Sequence, residues 1–256
     1  MPAVYDKLSV HIYPTRAEMG KAASEACVAL LNQLLGQKEE LNLIFAAAPS
    51  QNEFLEGLAD AGRNGRLDFS RINAFHMDEY IGLAADAPQG FGNFLRARLF
   101  DRVPFKRVYC IDPTAEPEAE ARRYAALLAA HPCDLVCMGI GENGHIAFND
   151  PHVADFDDPL AVKAVELDGK CRMQQVHDGC FAALSDVPAQ ALTLTVPMLT
   201  RAPHIICVVP GPAKAEAVRS ALEGPVAPSC PASVLRRCEG ASLWLDSGSA
   251  ALLKGV

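Results

Sequence analysis

Short apolar runs alternate with longer amphipathic stretches along most of the chain, which predicts strands and helices in turn. Leu41–Ala48 is apolar almost throughout, as is typical of a strand covered on both faces. Thr15 with Glu18, and Ser50 with Glu53, have the spacing of capping boxes and predict helix starts. The predicted strands are Leu8–Tyr13, Leu41–Ala48, Arg71–Phe75, Arg107–Ile111, Asp134–Met138, Ala191–Val196, His204–Val209 and Ser242–Leu245. The predicted helices run from Thr15 to about Leu35, from Ser50 to about Ala61, over Gly92–Val103, Pro117–Ala130 and Pro212–Glu223, and briefly from Ser247.

Strands that alternate with long helices predict an α/β fold. We expect an open, mostly parallel, doubly wound sheet of Rossmann-like topology with helices on both faces, in a single domain over residues 1–256. The weakly patterned region Asp150–Asp186 is expected to pass over the face that binds ligands. Because ligands bind outside the carboxyl ends of the strands in such sheets, the loops after the strands are where a site is expected.

The composition of the 256-residue chain, with 50% hydrophobic and 21% charged residues, is that of a globular protein. A net charge of -8 disfavours nucleic acid and anionic membranes as partners, so we expect neither. The nine cysteines are scattered without a Cys-x-x-Cys pair and are interpreted as reduced thiols. The first residues, Met1–Lys7, lack the pattern of a signal peptide, and no apolar run is long enough to span a membrane. These features together predict a cytoplasmic protein.

Two of the predicted loops combine small or acidic residues at the end of a strand. Ala48 and Ser50 lie where a helix start would present free N–H groups to an anion, although an ordinary turn fits the same residues. Asp78 and Glu79 are adjacent carboxylates directly after a strand. Either one could serve as a general base, and a solvated acidic turn is the alternative.

The loop after Met138 contains a Gly-x-Gly-x-x-Gly pattern that ends at Gly144. The dinucleotide fingerprint needs a helix directly after the glycines and an acidic residue about 20 positions further on. Glu166 lies at a suitable distance, but Asn149–Pro151 would interrupt the helix, so the pattern disfavours dinucleotide binding. His145 is the more informative residue, because it lies close in sequence to Asn143 and Asp150 and a histidine can shuttle protons near neutral pH. A structural histidine in a turn is the alternative.

Two cations follow later in the chain. Arg172 lies in the segment KCRMQQ, and Lys214 lies near the start of a predicted helix that follows a strand. Arginine can bind a phosphate with two hydrogen bonds and lysine adds a point charge. Each residue considered alone is more typical of an exposed surface cation.

Taken together and in this order, the loops resemble those of the glucosamine-6-phosphate deaminase (isomerase) family, whose superfamily includes 6-phosphogluconolactonase. The resemblance covers roughly residues 41–253, and its most specific segments are Met77–Leu83 (MDEYIGL) and Gly139–Asn149. His145–Asn149 (HIAFN) is similar to the deaminases, since the lactonases usually have a Gly-His-Thr-Ala-Ser type of segment there. The family converts glucosamine 6-phosphate and water into fructose 6-phosphate and ammonium.

The resemblance implies a role for each candidate residue. Asp78 is implied to move a proton between C2 and C1, and His145 to open the pyranose ring. The implied catalytic residues also include Asn143 and Asp150, which flank the histidine. The implied substrate-binding residues are Ala48, Ser50, Glu79, Gly144, Arg172 and Lys214, with Arg172, Lys214 and the Ala48–Ser50 loop around the phosphate. The chemistry requires neither a metal nor another cofactor, and the expected partner is a small-molecule sugar phosphate.

The chain departs from the family pattern at the histidine. The deaminases usually have an aspartate where this chain has Asn143 and a glutamate where it has Asp150, so His145 is expected to be a weaker base. Ala48–Ser50 also replaces the usual Gly-Gly-Thr-Pro type of segment. An isomerase of another hexose phosphate, a 6-phosphogluconolactonase-like hydrolase and a non-catalytic sugar-phosphate sensor therefore stay open, as does the formation of a homo-oligomer.

Overall fold

The structure, a computed structural model, describes residues 3–254. The predicted domain of residues 1–256 therefore extends beyond the described residues at both ends, by Met1 and Pro2 and by Gly255 and Val256. Met1 and Pro2 also belong to the N-terminal segment Met1–Lys7 discussed above. The strands are β1 (Ala3–Tyr5), β2 (Leu8–Tyr13), β3 (Leu41–Phe45), β4 (Ile72–His76), β5 (Asp78–Tyr80), β6 (Arg107–Tyr109), β7 (Leu135–Met138), β8 (Val162–Glu166), β9 (Gln190–Leu194), β10 (His204–Val209) and β11 (Ala241–Asp246). The helices are α1 (Arg16–Leu35), α2 (Asn52–Arg63), α3 (Phe91–Leu95), α4 (Pro117–Ala130), α5 (Gly169–His177), α6 (Val196–Thr200) and α7 (Ala215–Glu223).

The main sheet has eight strands in the order β1-β2-β11-β10-β7-β3-β4-β6. Every neighbouring pair is parallel except β1 with β2, so the predicted open, mostly parallel α/β sheet is confirmed. The chain runs outward from β3 to β4 and β6 and then returns to β7 on the other side of β3. The direction of winding therefore reverses between β3 and β7, and a crevice opens at the carboxyl ends of strands at such a point.

The two faces of the sheet pack into separate apolar layers. Successive residues of β3 point to opposite faces, so that Leu43 and Phe45 pack in one cluster with α1 and α2 residues such as Leu31 and Leu58. Ile44 packs in the other cluster, which includes Tyr124 from α4. All five residues of β3 are buried, as the continuous apolar run predicts.

A second, three-stranded antiparallel sheet, in the order β5-β9-β8, was not predicted. The strand predicted over Ala191–Val196 is β9 of this second sheet, running from Gln190 to Leu194, and it pairs Asp78 with Thr193. Met77 alone separates β4 of the main sheet from β5 of the second sheet. Asp78 therefore lies at the junction of the two sheets.

Three local predictions are corrected by the structure. The Thr15 cap forms as predicted, with its side chain accepting a hydrogen bond from the Glu18 backbone, but the Ser50 cap does not. Pro49–Gln51 forms a 3-10 turn, α2 begins at Asn52, and Glu53 pairs with Arg16 at 2.7 Å. The predicted helix over Gly92–Val103 is a short α3 that continues as a π-helical turn to Phe100.

The last predicted helix, from Ser247, is replaced by turns. The carboxylate of Asp246 accepts hydrogen bonds from the backbone of Gly211 and Ser249, and these bonds hold the chain in a turn directly after β11. Within residues 3–254 no helix is long and apolar enough to cross a membrane.

Candidate active site

A cavity of about 60 Å³ opens at the carboxyl ends of β3 and β7, where the sheet reverses its winding. It is lined by residues from five segments, which are the loop after β3, the β4–β5 junction, the start of helix α3, the loop after β7, and helix α5. Among the residues predicted from the sequence, the lining includes Ala48, Ser50, Asp78 and His145. The structure therefore brings the predicted base and the predicted ring-opening histidine to one cavity.

Asp78 lies at the junction of the two sheets and is 6% exposed. Burial raises the pKa of its carboxyl group well above the ordinary value, and the negative charge of neighbouring Glu79 raises it further. A carboxylate that holds a proton more tightly than usual is suited to take a proton from a carbon atom and return it.

Glu79 points away from Asp78, as alternate residues of a strand do. Its Oε1 accepts hydrogen bonds from the backbone N–H groups of Tyr80 and Phe91, at 3.0 and 2.9 Å, and its Oε2 accepts one from Gly92 at 2.8 Å. Both oxygens are thus used to hold the start of α3, which brings Phe91 to the cavity. Glu79 was predicted to bind substrate, but the structure gives it this supporting position outside the lining.

His145 is held through its Nδ1 atom. Nδ1 lies 2.7 Å from Oδ1 of Asn143 and 3.1 Å from Oδ1 of Asp150. Because Oδ1 of Asn143 can only accept, the shorter contact places the ring proton on Nδ1 and leaves Nε2 with its lone pair. This is the protonation state in which the imidazole can accept a proton from a ligand in the cavity.

Asn143 and Asp150 form a network behind the histidine. The amide nitrogen of Asn143 donates to Asp150 and to Asp168, both at 2.9 Å. Burial alone would raise the pKa of Asp150, but hydrogen bonds from His145, from Asn143 and from the backbone of Asp168 hold that pKa below its ordinary value. Asn143 and Asp150 therefore orient the histidine from behind rather than lining the cavity.

The glycines of the Gly-x-Gly-x-x-Gly pattern serve this loop and not a dinucleotide. A side chain at Gly141 would overlap the His145 imidazole, so the ring can lie against the backbone only because residue 141 is a glycine. Gly144 has a φ of 85°, which favours glycine, and its carbonyl accepts a hydrogen bond from Ala232. Turns follow the glycines where the dinucleotide fingerprint requires a helix.

Ser50 and Gln51 form the floor of the cavity after β3. Gln51 is 1% exposed, and its amide nitrogen donates to Val208 in β10 at 3.1 Å and contacts Ser50 Oγ at 3.3 Å. The bond to Val208 links the loop after β3 to β10, which lies beyond β7 in the sheet. The Ser50 hydroxyl proton is free to turn toward a ligand, which is how a hydroxyl commonly contributes to anion binding.

Lys214 is 5% exposed, and among residues 3–254 no hydrogen-bond partner lies within reach of its Nζ atom. Burial lowers its pKa, and the negative charges of Asp178 and Glu142 oppose this effect. Glu142 is tied to the cavity wall, because its backbone N–H donates to the side chain of Gln174. Lys214, which was predicted to bind substrate, does not itself line the cavity, but a buried amine without a partner is costly, so this amine suits an anionic ligand.

Arg172 is not brought to the lining, although it was predicted as part of the phosphate clamp. Its guanidinium donates to the carbonyl oxygens of Leu184 and Val187, at 2.9 and 2.8 Å. The neighbours Gln174 and Gln175 face the cavity from the same helix. Residues two apart on a helix point to nearly opposite sides, which explains why Arg172 and Gln174 have different surroundings.

The sequence analysis missed three cavity residues, Gln51, Gln174 and Gln175, and the supporting residue Asp168. Neutral amides carry no charge pattern that marks them in a sequence. The pair Gln174–Gln175 lies in the same short segment as Arg172, with one residue between, and a helical projection of that segment is the signal that could have found the pair.

One cluster in the network has the donor atoms of a metal site. His145, Asp150 and Cys171 place one nitrogen, oxygen and sulfur atom each within 4.8 Å of one another. However, the His145 nitrogen in question donates to Asn143, and burial together with the charges of Asp150 and Asp168 raises the pKa of the Cys171 thiol. The cluster is thus arranged as a hydrogen-bonded network and not as a set of deprotonated ligands.

An open parallel sheet with a polar cavity at its switch point is an arrangement shared by many α/β enzymes. The family described as glucosamine-6-phosphate isomerases/6-phosphogluconolactonase matches residues 14–244, and the chain belongs to this family.

Several named relatives resemble the chain over most of its length. A glucosamine-6-phosphate deaminase of Exiguobacterium sibiricum is 36% identical over 198 residues, which is 77% of each chain. One of Bacillus thuringiensis is 34% identical over 230 residues, or 90% of this chain and 84% of the relative. The solved structure of a monomeric glucosamine-6-phosphate deaminase superposes with a TM-score of 0.87 at 27% identity, over 95% of this chain and 99% of the other. A 6-phosphogluconolactonase from Trypanosoma brucei has the same fold, with a TM-score of 0.79 at 21% identity over 96% of this chain and 99% of the other.

Proposed function

We propose that the protein is a glucosamine-6-phosphate deaminase/isomerase, which converts an amino-sugar 6-phosphate and water into a ketose 6-phosphate and ammonium. The observation that carries the proposal is the meeting of Asp78 and His145 in one cavity at the switch point of the sheet. The 34–36% identity to glucosamine-6-phosphate deaminases over most of the chain supports the choice of substrate class.

Ring opening is assigned to His145. Its Nε2 lone pair takes the proton of the C1 hydroxyl and returns it to the ring oxygen as the C1–O5 bond breaks, so the histidine ends the step unchanged. The Nδ1–H bond to Asn143 keeps the ring in the protonation state that this transfer needs.

Isomerisation is assigned to Asp78. Its carboxylate removes the proton from C2 of the open-chain aldehyde and delivers it to C1, while a second proton passes from the amino nitrogen to the C1 oxygen, so that the 2-amino aldehyde becomes a 1-hydroxy 2-imine. Water then adds at C2, the C–N bond breaks to leave the ketone, and the released ammonia takes up a proton to give ammonium. The raised pKa of Asp78 lets it hold the proton between removal and delivery.

The phosphate is assigned to Lys214, the Ser50 hydroxyl and the backbone of the turn that begins at Ala48. Lys214 contributes a buried positive charge that has no other partner among residues 3–254. Ser50 lines the cavity directly. The Arg172 guanidinium, bound to two backbone carbonyls, supports this region through the fold.

The test is release of ammonium and fructose 6-phosphate from glucosamine 6-phosphate by the purified protein, with Asp78→Asn and His145→Gln as controls. Ammonium release that both substitutions abolish supports the proposal. No release above the Asp78→Asn background overturns it. Acid production from 6-phosphogluconolactone, turnover of a different hexose phosphate, or thermal stabilisation by sugar phosphates without turnover would each replace it with one of the three alternatives.

We also propose that the protein acts in the cytoplasm on this small molecule alone, without nucleic acid. The net charge of -8 supports this, because it repels polyanions while a few oriented groups can still bind one phosphate. Size-exclusion chromatography with light scattering determines whether it acts as a monomer or as a homo-oligomer.

A further inference from the structure

Asp168 stands outside the cavity but is bonded to the group that holds His145. Its Oδ2 accepts a hydrogen bond from Asn143 Nδ2 at 2.9 Å, and its backbone N–H donates to Oδ2 of Asp150 at 3.1 Å. Its Oδ1 accepts from the backbone of Cys171 at 2.7 Å and so caps helix α5. Asp168 thus joins the start of α5 to the loop after β7, which carries His145.

The amide of Asn143 has only two hydrogens, and both are used. One goes to Asp150 and the other to Asp168, while the amide oxygen accepts from the Nδ1 and the backbone N–H of His145. Turning the amide over would place its oxygen against two carboxylates and its hydrogens against two N–H groups. The two carboxylates therefore fix which end of Asn143 faces the histidine.

The same bonds change the strength of the contact to His145. Two negatively charged acceptors on Nδ2 draw electron density toward the amide oxygen, and hydrogen bonds in such a chain reinforce one another. The oxygen that accepts from His145 thus carries more negative charge than that of an isolated asparagine. Asn143 has no charge of its own, and the nearest carboxylate beyond Asp150 in this network is Asp168.

We propose that Asp168 is a positioning residue for His145, which acts through the Asn143 amide and supplies the negative charge that Asn143 lacks. This inference rests on the proposed function for its kinetic consequences, but the hydrogen-bond relay itself does not. The charged and titratable groups around this relay come from several elements: Asp150, Glu142 and His152 from the loop after β7, Cys171 from α5, Asp78 from β5, and Lys214 before α7.

The main test separates the relay from the helix cap. Serine is a good N-cap residue but is too short to reach Asn143, so Asp168→Ser retains the cap of α5 and removes the relay. We expect kcat for glucosamine 6-phosphate to fall about tenfold or more, because the His145 imidazole loses its orientation as an acid–base group. KM and Tm should stay close to those of the parent. Asp68→Ser is the matched control, because Asp68 caps a remote 3-10 turn through the same kind of bond.

A charge exchange makes the test specific. Asn143→Asp alone places three carboxylates together, and Asp168→Asn alone keeps an acceptor for Asn143 but removes the negative charge, so both should turn over more slowly than the parent. The double variant Asn143→Asp/Asp168→Asn pairs a carboxylate with an amide again at this contact, while the contact to Asp150 stays between two carboxylates, and it should turn over faster than Asn143→Asp alone. If the turnover of the double variant is reduced by the product of the two single reductions, with no recovery, the proposal is overturned.

A spectroscopic measurement needs no substrate. The Nδ1 proton of His145, assigned by its loss in His145→Gln, gives a downfield proton resonance whose position reports the strength of its hydrogen bond. This resonance should move upfield in Asp168→Ser and stay in place in Asp68→Ser. An unchanged resonance in Asp168→Ser overturns the relay, even if ammonium release confirms the proposed function. If the resonance shifts but the protein releases no ammonium, the relay is supported and the proposed function is overturned.

Discussion

The imidazole of His145 lies against the backbone of Gly141, in space that any side chain at position 141 would occupy. We expect Gly141→Ala to displace the ring, because backbone on one side and the Asn143 bond on the other leave it little room. Ammonium release should fall at least about tenfold through lost orientation, and stability should fall by about 1–3 kcal/mol through overpacking.

Gly169→Ala is the control for this substitution, because a Cβ atom there would meet no atom of residues 3–254 within 4 Å. Activity should be retained in this variant, and stability should rise slightly from better helix propensity. Equal activity in the two variants would mean that the ring position against Gly141 is not needed.

The raised pKa of Asp78 predicts opposite effects of pH on rate and on stability. As a base, Asp78 must be ionised, so kcat/KM should fall with decreasing pH at values above the range of an ordinary aspartate. The folded protein holds the Asp78 proton more tightly than the unfolded chain, so stability should decrease as pH rises through the interval between the ordinary and the raised pKa.

Asp78→Asn should remove both effects. Turnover should be lost, while the free energy of unfolding at neutral pH should rise, because the buried charge is gone. Denaturant titrations at several pH values measure this, and a less stable Asp78→Asn protein at neutral pH would contradict the assignment of Asp78 as a strained, buried base.

Lys214→Met should separate binding from folding. The buried amine has no partner among the described residues, so replacing it with an apolar side chain of similar length should leave Tm unchanged or raise it. KM for glucosamine 6-phosphate should increase about tenfold or more, since a charge-assisted contact to phosphate is lost. Lys170→Met, at an exposed position of α5, is the matched control and should affect neither quantity. A Tm for Lys214→Met well below that of the parent would show that the amine has a structural partner.

Arg172→Met should have the reverse profile. Loss of the hydrogen bonds to Leu184 and Val187 leaves two carbonyl groups without their donor and should cost about 1–3 kcal/mol of stability. KM should change little, because the guanidinium does not reach the cavity in this structure. A large rise in KM without a loss of stability would return Arg172 to the phosphate clamp inferred from the sequence.

His76 predicts how the protein responds to acid. The ring is fully buried and its Nε2 accepts a hydrogen bond from Ile111, and desolvation lowers its pKa from 6.5 to about 3. Below pH 6.5 the unfolded chain takes up a proton that the folded protein refuses, so stability should fall as pH decreases from 6.5 toward 3, by at most about 1.4 kcal/mol per pH unit. A flatter pH profile in His76→Gln, measured by chemical denaturation, checks this prediction.

The main sheet was predictable because its strands carry continuous apolar runs and its helices carry clear starts such as Thr15. The second sheet was not, since β5 has only three residues and its partner, β9, follows more than a hundred positions later. Asp78–Tyr80 therefore resembled a loop, and only pairing with β9 makes it a strand. The Ser50 cap failed for a related reason, because Pro49 starts a 3-10 turn before the predicted helix.

In the site, the cavity residues that lie in distinctive segments were predicted, and the glutamines of the lining were not. Asp78 and His145 follow strands in characteristic segments, whereas Gln51 and Gln175 resemble ordinary helix residues. Arg172 shows the limit of choosing by residue type, because a helix turns a neighbouring side chain to another side within one or two positions. Asp168 could not be recognised, because its role depends on a contact across 25 residues of sequence.

The single residue between β4 and β5 has a consequence for engineering this protein. In the proposed complex, the two ends of the substrate contact different sheets. The phosphate would bind at loops of the main sheet, and C1–C2 would lie at Asp78, the first residue of the small sheet. A substitution in β8 or β9 that tilts the small sheet would move the Asp78 carboxylate and leave the phosphate contacts intact. Substrate scope could thus be tuned from strands that never touch the ligand, and random mutagenesis selected for new sugars should accumulate changes there.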